Sequence, residues 1–339
     1  MAEEVFKSND TDYIRITLVL HTSFDRFGED TVDQILSWGG PVSLAISFAP
    51  GHCPTSADVI RLYSKIQKYR NLFPTLRRFL SVNFVFFGPN VSCNKIGNYE
   101  NSTRVSECGI KNVEFEYPIN TVRNAARKTA RTKFIVMADS DHYFSKDFEK
   151  KILPLAKRLL RKNSKIVLVY RIFEVEKTAK RPETKADLYE LYKNGSAREF
   201  HKNFFNHHKI PGQLAWFLQP EINGSTAIQM YQPYLDSRWE PQFVSTKSIP
   251  FHDESFYYPI KDNTVLRWEM CRAGYVFGIV HDVFMFHLGY KSPKSEKRIA
   301  ELRGKMASRA KKSLISFNKR MDRLFPKTKN TCPSFKIPL

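Results

Sequence analysis

Two aspartates with one residue between them, Asp139 and Asp141, directly follow an apolar run at residues 134–138. The run is predicted to form a buried strand, and residues i and i+2 of a strand point to the same side. Both carboxylates can therefore face one cation where the strand ends. Mg²⁺ and Mn²⁺ prefer such oxygen ligands and commonly carry a diphosphate. This spacing favours an enzyme that uses a nucleotide-activated donor.

A second triplet of the same form, Asp10-Thr11-Asp12, has no apolar run before it. Its polar neighbours indicate a solvated loop. For residues 139–141, spacing alone leaves two interpretations open, a metal site and a chance triplet. The elements around the triplet have to decide between them.

The first half of the chain alternates between predicted strands and predicted helices. The apolar runs that indicate strands are residues 13–20, 42–48, 82–87, 133–138 and 165–170. Helical spacing marks residues 32–38, a helix that opens at Ser56, and residues 119–131 and 148–159. This order predicts an α/β protein with a mostly parallel sheet. Open α/β folds bind ligands at the carboxyl edge of the sheet, where Asp139 and Asp141 would lie.

The second half of the chain is organised differently. Residues 172–262 are rich in aromatic residues, proline and histidine, and we expect them to cover the sheet and build a substrate pocket. Three later segments indicate a helix, a strand and an apolar run that ends in a histidine: residues 268–273, 275–280 and 283–287. A basic helix or helix pair is predicted over residues 294–323.

Composition is compatible with one large α/β domain and a tail, since 42% of the 339 residues are hydrophobic. The net charge is +20, and residues 291–329 contribute +11 of it through 14 basic and 3 acidic residues. A nucleic-acid or polyanion binder would also carry such a charge. Apolar residues recur there at near-helical spacing, which indicates a helix with one buried face and a solvated basic face. We therefore expect no nucleic-acid partner.

The sequence gives two indications about compartment. No apolar run approaches the roughly 18–20 residues of a membrane-spanning helix, and the acidic start lacks the features of a signal peptide. We therefore expect membrane attachment only through an anchor that this chain does not contain. Five asparagines head glycosylation sequons, which favours a secretory compartment: Asn9, Asn90, Asn101, Asn194 and Asn223.

Several segments between residues 14 and 325 occur in an order and spacing that are specific when taken together. They are Leu18-Val19-Leu20-His21-Thr22-Ser23, Trp38-Gly39-Gly40-Pro41-Val42-Ser43, Tyr117-Pro118-Ile119-Asn120, Arg123-Asn124-Ala125-Ala126-Arg127, the pair Asp139 and Asp141, Glu240-Pro241, Asp253-Glu254, and His287-Leu288-Gly289-Tyr290-Lys291. In these segments the chain resembles the LARGE-like β-1,4-glucuronyltransferases, glycosyltransferase family 49.

The resemblance implies a fold, a reaction and a location. The fold would be GT-A, a Rossmann-like sheet flanked by helices. The reaction would transfer glucuronic acid from UDP-glucuronic acid to a glycan or glycoprotein acceptor, with Mn²⁺ or Mg²⁺ and inversion at the anomeric carbon. The location would be the Golgi lumen. We expect a catalytic domain over residues 12–291, with a nucleotide-sugar half at 12–171 and an acceptor half at 172–291, and a basic helical extension over 292–339.

The resemblance also implies roles for individual residues. Asp139 and Asp141 would hold the metal with His287 as a third ligand. The residues expected to contact the nucleotide are His21, Thr22, Arg123, Asn124 and Lys291. An inverting transferase needs a carboxylate that deprotonates the acceptor hydroxyl. Asp253 is the favoured candidate and Glu254 the second.

The chain departs from the family pattern after Glu254. The family continues Asp-Glu with an arginine and a phenylalanine, and later has Tyr-Gly and an asparagine. Here Ser255 replaces the arginine, Pro259 and Ile260 replace Tyr-Gly, and Asp262 replaces the asparagine. This loop would lie near the donor sugar and the acceptor. A transferase with another UDP-sugar and a catalytically silent glycan-binding homologue are therefore alternatives.

Overall fold

The computed structural model describes residues 2–88, 116–202, 207–290 and 293–337. In this part of the chain, one sheet of eleven strands forms the centre of the fold. Its strands are β1 Ala2–Phe6, β2 Ile16–Ser23, β3 Val42–Phe48, β4 Leu80–Phe86, β5 Phe134–Met137, β6 His142–Phe144, β7 Ile166–Val175, β8 Ala197–Glu199, β9 Ile228–Gln232, β10 Gln242–Thr246 and β11 Val276–Leu288.

The direction of the strands confirms the predicted α/β class. The path through the middle of the sheet is β4-β3-β2-β5-β10-β7-β11. The pairs β3–β4, β2–β3, β2–β5 and β7–β11 are parallel, while β10 pairs antiparallel with both β5 and β7. Six of these seven strands therefore run in one direction and β10 alone runs against them. Their carboxyl ends reach one edge, together with the amino end of β10.

Helices cover both faces of the sheet. They are α1 Glu29–Trp38, α2 Ala57–Leu72, α3 Pro74–Phe79, α4 Ile119–Thr129, α5 Phe148–Leu159, α6 Lys185–Lys193, α7 Gln213–Leu218, α8 Thr264–Arg272 and α9 Pro293–Leu324. Successive residues of β2 show why both faces need cover, because Leu18 and Leu20 lie in one apolar cluster and Val19 lies in another. Strands that are buried on both sides have continuous apolar runs, as β2 and β3 do.

The predicted elements agree best with the structure where the apolar pattern is long. Strand β3 and helix α5 have the predicted bounds. The apolar runs at 275–280 and 283–287 form one strand, β11, whose pairing with β7 shifts between Ile279 and Phe284. At this bulge Asp282 has a φ of 66°. No strand was predicted at β10, because it has only five residues and two of them are apolar.

The basic region near the end of the chain is one long helix, α9, and not a helix pair. Its Phe317 and Met321 are buried in the cluster that contains Phe256 and Phe335. A disulfide joins Cys271 in α8 to Cys332, which follows α9. The division into catalytic domain and extension remains a prediction. Among the described residues, no helix has the length and hydropathy needed to cross a bilayer.

A buried arginine fixes α4 against the segment that leads into the loop of Asp253. The guanidinium of Arg127 donates to the carbonyl oxygens of Lys247 at 2.9 Å and Pro250 at 2.5 Å, and also to that of Ile249. The side chain is 1% exposed, and burial lowers the pKa of Arg127 to about 10. The guanidinium of Arg127 therefore provides hydrogen bonds to three carbonyl oxygens that follow β10 and are not bonded to a neighbouring strand.

We expect Arg127→Leu to lower the free energy of unfolding by about 2–4 kcal/mol, because buried carbonyls left without a donor each cost about 1–3 kcal/mol. Chemical denaturation would measure the change. Arg131→Leu is the matched control, since Arg131 forms an exposed ion pair with Glu4 and such pairs contribute about 0–1 kcal/mol. Equal effects of the two substitutions would contradict the assigned role of Arg127.

Candidate active site

The carboxyl edge of the sheet collects polar side chains from four strands. His21 lies near the end of β2, and the loop after β5 carries Asp139 and Asp141. His287 is the penultimate residue of β11. Glu240 lies two residues before the amino end of β10, the strand that runs in the opposite direction. Because β10 runs opposite to its neighbours, side chains from both halves of the chain lie at this edge of the sheet.

Asp141 and His287 contact each other although they lie far apart in the sequence. His287 Nε2 lies 3.3 Å from Asp141 Oδ2, and His287 Nδ1 lies 2.9 Å from the carbonyl oxygen of Gly289. Nδ1 must carry a proton to make the second contact, which leaves Nε2 directed at the carboxylate. Burial opposes the charge of His287, but its hydrogen bond with Asp141 prevails and raises the pKa of His287.

Asp139 is held by His21 and Arg123. His21 Nε2 lies 3.1 Å from Asp139 Oδ1, and the guanidinium of Arg123 lies 3.5 Å from the same oxygen. Burial lowers the pKa of His21, so a neutral ring donates from Nε2 and accepts the Tyr117 hydroxyl at Nδ1 over 3.0 Å. Burial also disfavours ionised Asp139, yet His21, His142 and Arg123 hold its pKa well below the ordinary value.

The backbone around the two aspartates is fixed from α1. The side-chain amide of Gln34 donates to the carbonyl oxygens of Asp139 at 2.8 Å and of His142 at 2.6 Å. The ring of His142 accepts the backbone N–H of Asp139 at Nδ1. These contacts hold the loop while leaving the side chains of Asp139 and Asp141 51% and 61% exposed.

The donor set at this edge fits a hard divalent cation. Two half-exposed carboxylates and an imidazole nitrogen are ligands that Mn²⁺ and Mg²⁺ accept, and the contact of His287 with Gly289 orients the ring as ligating histidines are oriented. In the part of the chain that the structure describes, no three such side chains already surround a single point. His287 Nε2 now faces Asp141 at the distance of a direct ion pair.

Arg123 and Asn124 are neighbours on α4 but lie in different surroundings. Arg123 donates to Asp262 Oδ2 at 2.9 Å, beside its contact with Asp139. Asn124 instead bonds the loop after Pro250, where its amide donates to the carbonyl oxygen of His252 at 2.9 Å and accepts that residue's N–H at 3.0 Å. Asn124 therefore positions a loop. Its expected role at the nucleotide remains a prediction.

The two residues expected to act as base have their oxygens engaged elsewhere. Asp253 Oδ1 accepts the N–H and the hydroxyl of Ser255, and Oδ2 pairs with Arg320 of α9 at 3.1 Å. Glu254 accepts hydrogen bonds from Asn124 at 2.8 Å and from Thr121 at 3.0 Å. Both acids thus tie this loop to neighbouring helices.

Thr22 and Lys291 are the two remaining residues that were predicted to contact the nucleotide. Thr22 is buried, and its hydroxyl donates to the carbonyl oxygen of Ser23 at 3.4 Å. Lys291 lies outside the described residues. The expected contacts of both with a nucleotide remain predictions.

Three residues at the site were not proposed from the sequence: Glu240, His208 and His252. His208 Nε2 lies 3.5 Å from Glu240 Oε2. His252 is 3% exposed, and neither of its ring nitrogens has a hydrogen-bond partner among the described residues. The pair Glu240-Pro241 was visible as part of the resemblance, but nothing in its spacing indicated a role.

Comparisons with known proteins identify the family to which the chain is similar. Residues 15–326 match the model of a family described as glycosyl-transferase for dystroglycan. Beta-1,4-glucuronyltransferase 1 of Danio rerio is 28% identical over 179 residues, which are 52% of this chain and 41% of that protein. The Homo sapiens protein of the same name is 25% identical over 207 residues, 59% of this chain and 48% of the relative. The chain thus spans about half the length of the curated relatives that it matches.

Solved structures share less sequence identity with this chain than these relatives do. A structure of GalNAc-T7 with UDP, GalNAc and Mn²⁺ has a TM-score of 0.45 at 9% identity and covers 82% of this chain and 44% of that chain. S. aureus TarS 1–349 with UDP-GlcNAc has a TM-score of 0.39 at 11% identity, covering 82% of this chain and 59% of that one.

Buried histidines make the fold sensitive to acid. Burial lowers the pKa of His252 well below 6.5, whereas the unfolded chain takes up that proton near pH 6.5. The contribution of neutral His252 to the free energy of unfolding is therefore fully present above pH 6.5 and declines as the pH falls below it. The same sign holds for the other histidines with a lowered pKa, His21, His207, His208 and His281.

We expect the unfolding midpoint to fall between pH 7 and pH 5. His252→Phe should make this decline shallower, because it removes a group that binds a proton only when unfolded. Each unit of pKa difference corresponds to about 1.4 kcal/mol. Thermal unfolding at both pH values would measure the change, and an equal decline in the two proteins would contradict the assignment.

Proposed function

The chain belongs to the glycosyltransferase family whose model matches residues 15–326, and we propose that it transfers glucuronic acid from UDP-glucuronic acid to a glycan acceptor. The reaction is metal-dependent and inverts the anomeric carbon. The observation that carries this proposal is the placement of Asp139 and Asp141 at the carboxyl edge, with His287 in contact with Asp141. The names of the relatives support the donor, since both are β-1,4-glucuronyltransferases.

In this proposal Asp139, Asp141 and His287 would hold Mn²⁺ or Mg²⁺. When bound, the ion supplies positive charge where negative charge develops on the departing UDP. His21 and Arg123 keep Asp139 ionised, so that it remains a ligand over the whole physiological pH range. Gln34 holds the loop that carries both aspartates, which limits the reorganisation that ion binding requires.

The acceptor side of the cleft is assigned to the half of the chain at residues 172–291. His208 and Glu240 lie 3.5 Å apart in this half of the chain, and charged groups that include His207 surround Glu240. A glycan offers many hydroxyl groups, which suit such surroundings. We therefore assign the acceptor to the class of glycans.

A secretory compartment, in particular the Golgi lumen, is part of the proposal. The disulfide between Cys271 and Cys332 supports it, since disulfides persist in oxidising compartments. Cys53 is also disulfide-bonded. The five glycosylation sequons point to the same compartment.

One observation favours a second candidate, a transferase that uses a UDP-sugar without a carboxylate. Asp262, which replaces the asparagine of the family, lies 2.9 Å from Arg123. The pair neutralises a cation beside Asp139 that could otherwise receive the carboxylate of glucuronic acid. A neutral sugar would not need that cation.

A donor panel separates the two candidates. With Mn²⁺ and each UDP-sugar in turn, we expect UDP release to be fastest with UDP-glucuronic acid. Preference for UDP-xylose, UDP-galactose or an N-acetylhexosamine donor would establish the second candidate. No release with any donor would indicate a silent homologue, provided that the protein still binds UDP in calorimetry.

Metal dependence has its own test. We expect EDTA to abolish UDP release and Asp139→Asn to reduce it by at least about 100-fold, since a ligand that carries charge is lost. Asp12→Asn is the matched control, because Asp12 is exposed and its one described hydrogen bond is from the N–H of Ile14. Full activity of Asp139→Asn, or of the EDTA-treated protein, would contradict the metal site.

A further inference from the structure

Glu240 lies at the same edge of the sheet as the aspartate loop because β10 runs against its neighbours. In the antiparallel pair of β10 and β5, Thr246 lies opposite Phe134 and Val244 opposite Val136. The loop of Asp139 and Asp141 follows β5, and Glu240 precedes β10, so both lie at the same end of this strand pair. Glu240 is thus the carboxylate that precedes β10 at the edge of the sheet where the aspartate loop lies.

The carboxylate of Glu240 is less engaged than the other acids of the cleft. Its side chain is 24% exposed, and its one described contact of ion-pair length is with His208, at 3.5 Å. In the described ranges no group donates a hydrogen bond to its side-chain oxygens. Asp253, Glu254 and Asp262 differ, because each accepts at least one hydrogen bond from a neighbouring side chain.

The backbone of Glu240 is fixed while its side chain is not. Its N–H donates to the carbonyl oxygen of His207 at 2.7 Å, and its own carbonyl oxygen lies 3.0 Å from His208 Nδ1. Burial lowers the pKa of His208 to about 4, so His208 is uncharged at neutral pH. The neighbouring ring therefore does not neutralise the carboxylate.

Several charged groups face Glu240 from the elements packed around it. Burial raises its pKa, and the negative charge of Asp262 adds to this. Arg267, His207 and Lys261 act in the opposite direction. The balance leaves a carboxylate that accepts a proton more readily than an exposed glutamate would.

We propose that Glu240 is the general base of the transfer. The acceptor hydroxyl gives its proton to the Glu240 carboxylate, and its oxygen forms the new bond to C1 of the donor sugar. The bond from C1 to the diphosphate oxygen breaks, and its electron pair leaves with UDP. This assignment rests on the proposed glycosyltransferase reaction and replaces Asp253 and Glu254 in the role of base.

The test compares Glu240→Gln with the unaltered protein in the UDP-release assay, with acceptor and Mn²⁺ present. General base catalysis contributes roughly 10²–10⁴-fold, so we expect a loss of kcat of about that size. Binding of UDP with Mn²⁺, measured by calorimetry, should change less than about threefold. Glu183→Gln is the control, because Glu183 pairs with Lys146 on an exposed surface, and it should keep full activity.

A pH profile separates a base from a structural residue. A base acts only when deprotonated, so kcat/KM should rise with pH through the pKa of Glu240, which lies above the ordinary value of 4.5. Glu240→Gln should lose this acidic limb. Glu240→Asp keeps a carboxylate at a shorter reach, so it should be slower than the unaltered protein while retaining the limb. Glu240→Asp also tests the assignment if Glu240→Gln does not fold.

The outcomes are distinguishable. Activity of Glu240→Gln within about fivefold of the unaltered protein overturns the assignment and leaves the proposed function intact. Loss of the acidic limb in Asp253→Asn, with the limb kept in Glu240→Gln, assigns the base to Asp253 and also overturns it. Failure of the unaltered protein to release UDP from any donor contradicts the proposed function itself, and the base assignment with it.

Discussion

Strand direction is the constraint on which this site depends. The carboxyl ends of strands that run in one direction lie at the same edge of the sheet. His21 of β2, the aspartate loop after β5 and His287 of β11 therefore lie at one edge. A single reversed strand, β10, adds residues that precede a strand rather than follow one. Without that reversal, Glu240 and the histidines bonded to its backbone would lie at the opposite edge of the sheet.

The electrostatics of the edge follow from how its charges are distributed. The buried histidines His21, His208 and His252 are neutral. Arg123 remains charged although it is buried. Asp139 is consequently kept ionised by its hydrogen bond with His21 and by the charges of His142 and Arg123. The site therefore offers its carboxylates in the form that a divalent ion needs, while the surrounding fold becomes less stable in acid.

Sequence reasoning succeeded where one signal was strong and local. Long apolar runs located β3 and α5 within their observed bounds, and the apolar run before Asp139 indicated the strand that carries the aspartate loop. It failed at β10, where five residues with two apolar side chains carry no periodicity. The contact of Asp141 with His287 was anticipated only through a family resemblance, because no local pattern links residues that distant. The pairing of Asp253 with Arg320 shows a further limit, because Arg320 lies in a helix that only tertiary structure brings near.

The loop from His252 to Ser255 is fastened from two directions. Asn124 and Thr121 of α4 hold its first part, while Arg320 and Ser313 of α9 bond Asp253 and the carbonyl oxygen of Ser255. The last long helix of the chain therefore holds this loop as well as carrying a charged surface. A change of sequence in this loop has to stay compatible with two helices whose contacting residues lie almost 200 positions apart. Divergence within such a family would have to alter loop and helix together, and the unusual residues at 255–262 have to be judged with α9 as their counterpart.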